Sequence, residues 1–280
     1  MASTMTTALL GTGIMGAGMA ANVSRAGIPL RLWNRTQHKA EGLGGTVYAS
    51  PGEAVQGATV VVTALADGPT TDSTIRAAAP EPGVVWLQCA TVGVEWSQRL
   101  AATAAELGLV YVDAPVLGTK GPAEAGQLTV LASGPEAARD VLAPVLDAIA
   151  AKVLWVGEAG AGSRLKLVCN SWVLTIVEGV AEALTLAKAL GLPPEGFLDA
   201  VAGSGVDAPY VQLKGKAMLS GDFDAQFPLW GAAKDAGLIC EAAESAGVEL
   251  ALSEAARSHF ERAMAAGHGD LDMAATYLSH

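Results

Sequence analysis

The chain has 280 residues, enough for one large domain or two modest ones, and 51% of them are hydrophobic, so it can bury a substantial core. Its net charge of -11 argues against nucleic acid as a partner, because phosphate backbones are bound by clustered Lys and Arg. Apolar stretches are broken by charges before they reach the roughly 20 residues of a membrane span, and "MASTMTT" at the N-terminus lacks the pattern of an export signal. We therefore expect a globular cytoplasmic protein that acts on a small molecule and binds no membrane.

The cysteines and histidines give no sign of a disulfide or a metal site. Cys89, Cys169 and Cys240 lie far apart among apolar neighbours, as expected for core residues in a reducing compartment. The four histidines do not have the spacing of metal ligands: His38, His259, His268 and His280. We predict no metal site.

Short β-rich runs alternate with Ala-rich segments of helical length in the first half of the chain. The runs are "TALLG", "IPLRLWN", "ATVVVTALA", "GVVWLQCAT", "LVYVDAPV", "QLTVLAS" and "KVLWVG". Strands of this length, separated by helices, indicate βαβ units and a mostly parallel sheet. The first half is therefore predicted to be an α/β domain of the Rossmann type.

A GxGxxG motif follows the first of these runs and opens a predicted helix that ends near Gly27. Its first glycine permits a tight turn, the second admits a pyrophosphate close to the backbone, and the third lets the helix pack near the strand. The motif alone is a weak signal, but its place between a strand and a helix predicts a dinucleotide site. The residues assigned to it are Gly11, Thr12, Gly13, Ile14, Met15 and Gly16.

The end of the second predicted strand, "LWNRT", bears on the choice between NAD and NADP. An NAD enzyme carries Asp or Glu there to bind the ribose 2′-hydroxyl. Here Arg35 offers a planar cation suited to a 2′-phosphate, Asn34 and Thr36 can donate hydrogen bonds, and Lys39 adds charge. The pattern favours NADPH, the alternative being that Arg35 is an ordinary surface arginine.

Further site residues follow from the rule that ligands of open α/β sheets lie outside the carboxyl ends of the strands. Leu65 and Ala66 end the third long apolar run, Thr91 ends the next, and residues 116–119 follow "YVDAP". We predict that these strand ends line one cleft.

The second half of the chain reads as successive helices. The boundary is predicted near the glycines 157–162, which gives a domain at 1–162 and an all-α domain at 163–280. The long helix 163–190, which joins the two domains, carries more apolar surface than one small domain can cover. We expect it to pack against a second subunit in a homodimer or homotetramer, which light scattering can check.

Lys166 and Asn170 introduce polar groups into the apolar run "GSRLKLVCNSW". Four residues apart on a helix, they share a face, and Leu165, Leu167, Val168, Trp172 and Val173 are predicted to surround them. A buried lysine needs a wet cleft or a partner, whereas a lysine at a partly exposed position can extend to solvent. Its place directly after the dinucleotide domain favours the first interpretation.

Together these segments resemble a known family. "GTGIMG", "WNRT", "DAPVLGTKGPAEAGQLTVLASG", "GAGSRLKLVCN", "FPLWGAAKD" and "GHGDLD" occur in the order and spacing of the β-hydroxyacid dehydrogenases, which include 3-hydroxyisobutyrate dehydrogenases. The most similar branch is that of the NADPH-dependent glyoxylate and succinic semialdehyde reductases. The resemblance covers essentially the whole chain.

The resemblance implies roles for several residues. Lys166 is the catalytic acid/base, which protonates the carbonyl oxygen as the nicotinamide delivers hydride to carbon, and Asn170 holds the substrate. Thr91 lies near the nicotinamide, and Lys234 with Asp235 closes over the cofactor and the active site. Without the resemblance, the Lys234–Asp235 pair reads as a solvated helix face.

One departure from the family concerns the substrate carboxylate. The family usually has Ser-Gly-Gly or Ser-Gly-Ser where this chain has Leu117, Gly118 and Thr119. Leu117 puts an apolar wall in place of a polar contact, and Trp230 adds another. A less polar substrate, such as the cyclic imine of an imine reductase, is therefore an alternative, although imine reductases generally carry Asp or Tyr in place of Lys166. A non-catalytic dinucleotide-binding module is a further alternative, and Lys166 argues against it.

Overall fold

A computed structural model describes residues 5–280 of the chain. They form two compact units, the first ending at Lys166 and the second beginning at Leu167. Residues 1–4, part of the segment used above to judge export, lie outside the described residues. The domain boundary predicted after Gly162 falls within the first turn of the helix that joins the units.

The first unit contains a six-stranded, fully parallel sheet with the strand order β3-β2-β1-β4-β5-β6. The strands are β1 (Thr7–Leu10), β2 (Leu30–Trp33), β3 (Thr46–Val47), β4 (Val60–Thr63), β5 (Val85–Gln88) and β6 (Val110–Asp113). The chain moves outward from β1 in both directions, so the order reverses between β1 and β4. Sheets of this kind open a ligand crevice at that reversal, beyond the carboxyl ends of the strands. The predicted Rossmann-type fold is confirmed.

Both faces of this sheet are buried. Leu9 packs into one hydrophobic cluster, while its neighbours Ala8 and Leu10 pack into a second, and the same alternation holds for Val62 and Val61. The covering helices are α1 (Ile14–Arg25), a 3₁₀ helix (Gln37–Ala40), α2 (Pro51–Val55), α3 (Gly68–Ala78) and α4 (Gly93–Glu106). Because both faces are buried, strands such as "VVVT" are continuously apolar instead of alternating with polar residues.

A second, three-stranded sheet completes the first unit, where the sequence predicted a single mostly parallel sheet. Its strands are β7 (Val116–Leu117), β8 (Leu128–Ala132) and β9 (Ala150–Trp155), in the order β7-β8-β9. β7 is antiparallel to β8, whereas β8 and β9 are parallel. Helix α6 (Ala138–Ile149) makes the crossover between the two parallel strands.

Helix α1 packs closely on the short helix α5 (Lys120–Glu124). The Nδ2 group of Asn22 donates to the carbonyl oxygen of Ala123 at 2.7 Å. A Cβ atom on Gly18 would lie 2.7 Å from the carbonyl carbon of Ala123, so only glycine permits this approach. The helix that begins at the glycine motif is therefore fixed against the segment that follows residue 119.

Helix α7 (Ala161–Ala189) joins the units and confirms the predicted long helix. Val168 and Trp172 are exposed in the single chain, on the side opposite Lys166 and Asn170. The prediction that they surround the lysine is therefore wrong, because residues two apart point in opposite directions on a helix. That a second subunit covers this exposed face stays a prediction.

By length and composition alone, helix α7 could also cross a membrane, which contradicts the expectation that no stretch of the sequence could. The core helices of soluble proteins meet the same criterion. This helix carries four buried polar side chains, Ser163, Lys166, Asn170 and Glu178, a feature that is rare in lipid-facing segments and common in packed cores.

The second unit is helical, and every break between its helices contains glycine or proline. The helices after α7 are α8 (Glu195–Val201), α9 (Pro209–Ser220), α10 (Leu229–Ala246), α11 (Ala251–Ala265) and a 3₁₀ helix (Met273–Ser279). A buried ion pair of 2.6 Å joins Lys214 to Asp272, whose other oxygen accepts from the backbone N–H groups of Gln226 and Phe227. Asp272 therefore fastens "GHGDLD" to the start of "FPLWGAAKD".

Two of the four histidines are not scattered in space. His259 and His280 both lie within hydrogen-bond distance of Glu178 in the second unit. The fold thus brings these two histidines together although their spacing in the sequence gives no metal-ligand pattern.

Candidate active site

The glycine motif forms a tight loop between β1 and α1. Gly11 has φ = 102°, and a Cβ atom there would lie 2.5 Å from the carbonyl oxygen of Ala64. A Cβ on Gly16 would lie 1.9 Å from the carbonyl oxygen of Gly11. Both positions therefore require glycine, the first also for its backbone conformation.

Gly13 differs from the other two because nothing lies within 4 Å of where its Cβ would be. It caps helix α1 without a side-chain hydrogen bond, and the first turn of the helix holds no acidic residue. Backbone N–H groups at such a helix start attract an anion, and the open space beside Gly13 lets a phosphate come close. These residues fit the pyrophosphate of a dinucleotide.

Asn34 links this loop to the end of β2. Its Oδ1 atom accepts from the backbone N–H of Thr12 at 3.0 Å, and its Nδ2 group donates to the carbonyl oxygen of Thr36 at 2.9 Å. Most of the amide is thus used inside the protein, which leaves one N–H for a ligand. The main contacts of Asn34 therefore hold the glycine loop in place, whereas the sequence predicted only a contact with the ribose.

Beyond Asn34, three residues predicted to recognise the 2′ group of the ribose are all exposed: Arg35, Thr36 and Lys39. Thr36 caps the 3₁₀ helix on which Lys39 lies. The cations stand at the end of β2, the strand beside β1 in the sheet. In a Rossmann-type sheet, residues at this strand end lie near the ribose of a bound dinucleotide.

The remaining strand ends lie along the same carboxyl edge of the sheet. Leu65 and Ala66 follow β4, and the side chain of Leu65 comes within 2.7 Å of where a Gly11 Cβ would be. Thr91 follows β5 and is half-buried. The fold thus places these residues beyond the parallel strands, as the sequence predicted.

The segment Leu117 to Thr119 leads from the small sheet into helix α5. Leu117 pairs with Thr129 and is half-buried. Gly118 has φ = 135°, and a Cβ there would lie 2.7 Å from the side chain of Leu128, so the position requires glycine. Thr119 caps α5 without using its hydroxyl for the cap. That hydroxyl is available to a ligand, while Leu117 presents an apolar surface.

A buried aspartate holds the start of helix α7. Asp113, the last residue of β6, accepts from the backbone N–H of Ser163 and from its hydroxyl, each at 2.7 Å. Ser133 donates to the backbone oxygen of Asp113 at 3.1 Å and accepts from the N–H of Gly162 at 2.9 Å. A carboxylate at a helix start satisfies free N–H groups and opposes the positive end of the helix dipole.

Burial raises the pKa of Asp113 above its ordinary value of 3.8, although the hydrogen bonds from Ser163 and Ser133 act in the opposite direction. The sequence does not single out this residue, because one Asp inside an apolar strand gives no pattern and Ser163 lies 50 residues away along the chain. The one signal in the sequence is the charged residue inside the apolar segment "VYVDAPV", because a buried charge needs hydrogen-bond partners.

Lys166 lies one turn after Ser163, so the contacts of Asp113 fix the helix turn that carries the lysine. The lysine side chain is buried, which rules out the interpretation that it extends to solvent from an exposed position. Asn170 follows on the same face of the helix and is also buried.

In the second unit, Asn170 belongs to a chain of polar contacts. Its Nδ2 group donates to Oδ2 of Asp235 at 2.6 Å, and Oδ1 of Asp235 pairs with the Lys234 ammonium at 2.9 Å. Asp235 is buried, so its interpretation as part of a solvated helix face is wrong. Trp230, one turn before Lys234 on α10, is exposed. The structure thus brings together Asn170, Lys234 and Asp235.

Cys89 follows β5 in the first unit, and its reactivity tests the burial of the region around Asp113. Burial and the nearby Asp113 carboxylate raise the pKa of its thiol to about 12, so it stays protonated near neutral pH. We expect iodoacetamide at pH 8 to label the half-buried Cys169 and Cys240 first and Cys89 last, as followed by peptide mass spectrometry. Denatured protein, in which all three should react alike, is the control. Equal labelling of Cys89 in the native protein would contradict the burial.

Two family models match this chain, one in each half. The family model described as the NAD binding domain of 6-phosphogluconate dehydrogenase matches residues 6–157. The model described as NAD-binding of NADP-dependent 3-hydroxyisobutyrate dehydrogenase matches residues 160–279. Between them they span nearly the whole chain.

Individual relatives agree with these matches. Glyoxylate/succinic semialdehyde reductase 2, chloroplastic, of Arabidopsis thaliana is 31% identical over 97% of this chain and 78% of its own length. The crystal structure of 3-hydroxyisobutyrate dehydrogenase from Salmonella typhimurium superposes with a TM-score of 0.87 at 28% identity, covering 98% of this chain and 99% of that one. An imine reductase from Pseudomonas sp. has a TM-score of 0.62 at 18% identity over 98% of this chain and 99% of its own, a likeness of fold alone.

Proposed function

Because the chain belongs to the β-hydroxyacid dehydrogenase family of NAD(P)-dependent oxidoreductases, which includes the 3-hydroxyisobutyrate dehydrogenases, we propose that it uses NADPH to reduce a small aldehyde or 2-oxo acid. The observation that carries this proposal is the buried Lys166, set on α7 one turn after the Asp113 contacts and four residues before Asn170. A buried ammonium on a fixed helix turn is suited to donate a proton to a carbonyl oxygen.

The proposed reaction divides the work between cofactor and protein. When bound, the nicotinamide supplies a hydride to the carbonyl carbon. Lys166 donates a proton to the carbonyl oxygen, so that an alcohol forms and the lysine is left neutral until solvent returns the proton. Asn170, oriented by Asp235, donates its second N–H to the substrate and holds it beside the lysine.

NADPH is proposed over NADH because of the exposed cations after β2. We expect Arg35→Ser to weaken NADPH binding by about 10- to 100-fold and to leave NADH binding nearly unchanged, since a charged hydrogen bond contributes about 1.5–3 kcal/mol and only NADPH carries the 2′-phosphate. Fluorescence titration of both cofactors measures the two affinities. The matched control is Arg262→Ser on α11, an exposed arginine outside the dinucleotide domain. Equal losses for the two cofactors would mean that Arg35 does not distinguish them.

The substrate class depends on Leu117. The assay follows NADPH consumption with succinic semialdehyde and glyoxylate in one series and an uncharged cyclic imine in another. We expect turnover of the carboxylate-bearing aldehydes, held by the backbone of Gly118 and the hydroxyl of Thr119. Leu117→Ser, which restores the residue usual in the family, should lower KM for these aldehydes and leave kcat nearly unchanged.

Reduction of C=N bonds is the second candidate function, favoured by the apolar surfaces of Leu117 and the exposed Trp230. Turnover of the imine alone, lost in Leu117→Ser, would select it over carbonyl reduction. Absence of turnover in both series, with NADPH still bound, would indicate a non-catalytic dinucleotide-binding module.

A further inference from the structure

Three potential metal ligands from distant parts of the sequence meet in the second unit. Glu178 lies on α7, His259 on α11, and His280 directly after the last 3₁₀ helix. Nδ1 of His259 and Nε2 of His280 lie 3.1 and 2.9 Å from the same Glu178 atom, Oε2, and 3.0 Å from each other. The three atoms therefore form a nearly equilateral triangle.

The three side chains are largely shielded from solvent. The exposed fraction of the side chain is 9% for Glu178, 6% for His280 and 20% for His259. The hydroxyl of Thr276 donates to the other carboxylate oxygen, Oε1, at 2.8 Å. This bond holds the carboxylate so that Oε2 points toward the two imidazole rings, as the outer contacts of metal-binding carboxylates commonly do.

Hydrogen bonds alone do not satisfy such a triangle. A proton on each of the two nitrogens would allow both to donate to Oε2, but the two N–H groups would then face each other 3.0 Å apart. A proton on one nitrogen alone leaves one of the three short contacts without a hydrogen between its atoms. A cation placed over the triangle interacts favourably with all three atoms at once.

The triangle also has the size that a transition metal requires. Metal–nitrogen bonds of about 2.0–2.1 Å and metal–oxygen bonds of about 2.0–2.2 Å put neighbouring ligands of an octahedral ion about 3 Å apart. The measured separations are 2.9, 3.0 and 3.1 Å. Two imidazoles and one carboxylate favour Zn²⁺ and its neighbours in the transition series over Mg²⁺ and Ca²⁺, which take oxygen ligands.

From this geometry we propose that Glu178, His259 and His280 bind one divalent transition-metal ion, for which Zn²⁺ serves as the probe. The ion ties three segments of the second unit together: α7, α11 and the residues that follow the 3₁₀ helix. Its role is structural and does not depend on the reaction proposed for the protein. Metal removal should therefore lower thermal stability more than it changes the chemistry at Lys166.

The test uses the full chain with any affinity tag removed and with metals stripped by a chelator. Calorimetric titration with Zn²⁺ near neutral pH should show one site per chain, and saturation should raise Tm by several degrees. His259→Ala and His280→Ala should each weaken this binding by at least about tenfold. His38→Ala removes an exposed histidine from the first unit and should leave the binding unchanged.

Two further variants keep the proposal open to refutation if a histidine variant folds poorly. Glu178→Gln keeps an oxygen for the hydroxyl of Thr276 but loses the charge, so it should fold and bind Zn²⁺ weakly. Co²⁺ bound to the parent chain should give a visible absorption band that the variants lack. Absence of a one-to-one site, or several weak sites that are insensitive to all these substitutions, would overturn the proposal.

Discussion

Replacing Lys166 by methionine is expected to lower kcat/KM by about 10²–10⁴-fold, the range that a positioned proton donor contributes, while the affinity for NADPH stays within about twofold. Methionine has a similar length and no charge, so it can fill the buried position without creating a large cavity. The loss should appear in kcat, since a proton donated during the reaction stabilises the transition state more than the bound substrate.

Steady-state kinetics and a fluorescence titration of NADPH measure the two quantities separately. Lys152→Met, at an exposed position in β9, is the matched control and should keep full activity. If Lys166→Met also kept its activity, the proton would come from another group. If it lost NADPH affinity and Tm together, the lysine would have a structural role.

Asp113→Ala is expected to destabilise the first unit by about 3 kcal/mol, because it leaves the N–H and the hydroxyl of Ser163 buried without their acceptor. Urea unfolding should show a lower midpoint with an unchanged slope. Asp140→Ala, at an exposed position on α6, is the control and should change the free energy of unfolding by less than about 0.5 kcal/mol. A loss as small as that of the control would mean that other groups hold the start of α7.

The charge on Asp113 also predicts a pH dependence with a definite sign. Since burial raises its pKa above 3.8, the folded state holds the proton more tightly than the unfolded state does. The contribution of Asp113 to the free energy of unfolding is therefore largest below about pH 3.8, falls as the pH rises through the raised pKa, and is constant above it. Asp113→Asn should remove this component, and urea unfolding at a series of pH values can measure the difference.

The sequence predicted those parts of the site that depend on neighbouring residues. Gly11, Gly13 and Gly16 lie within six residues of one another, and their spacing together with the strand before them and the helix after them indicates the phosphate loop. Lys166 and Asn170 share a helix face by spacing alone. The family resemblance was needed for Lys234 and Asp235, because the burial of Asp235 depends on the contact with Asn170, 65 residues away.

The sequence did not predict features that depend on long-range contacts. Asp113 meets Ser163 across 50 residues, and Glu178 meets His259 across 81. The small sheet was merged with the large one because apolar runs of similar length and composition form both. The exposure of Val168 and Trp172 was missed because an apolar composition does not tell which side of a long helix is covered.

The close packing of α1 on α5 has a consequence for the order in which ligands arrive. Helix α1 begins at the loop proposed to hold the pyrophosphate. It packs against α5, the helix that follows Thr119, through the close approach at Gly18 and the hydrogen bond of Asn22. A dinucleotide that steadies the start of α1 would also restrict the motion of residues 117–119, so part of the entropy loss of ordering the substrate segment occurs before the substrate binds. Such a coupling favours a sequential mechanism in which the nucleotide enters first and leaves last.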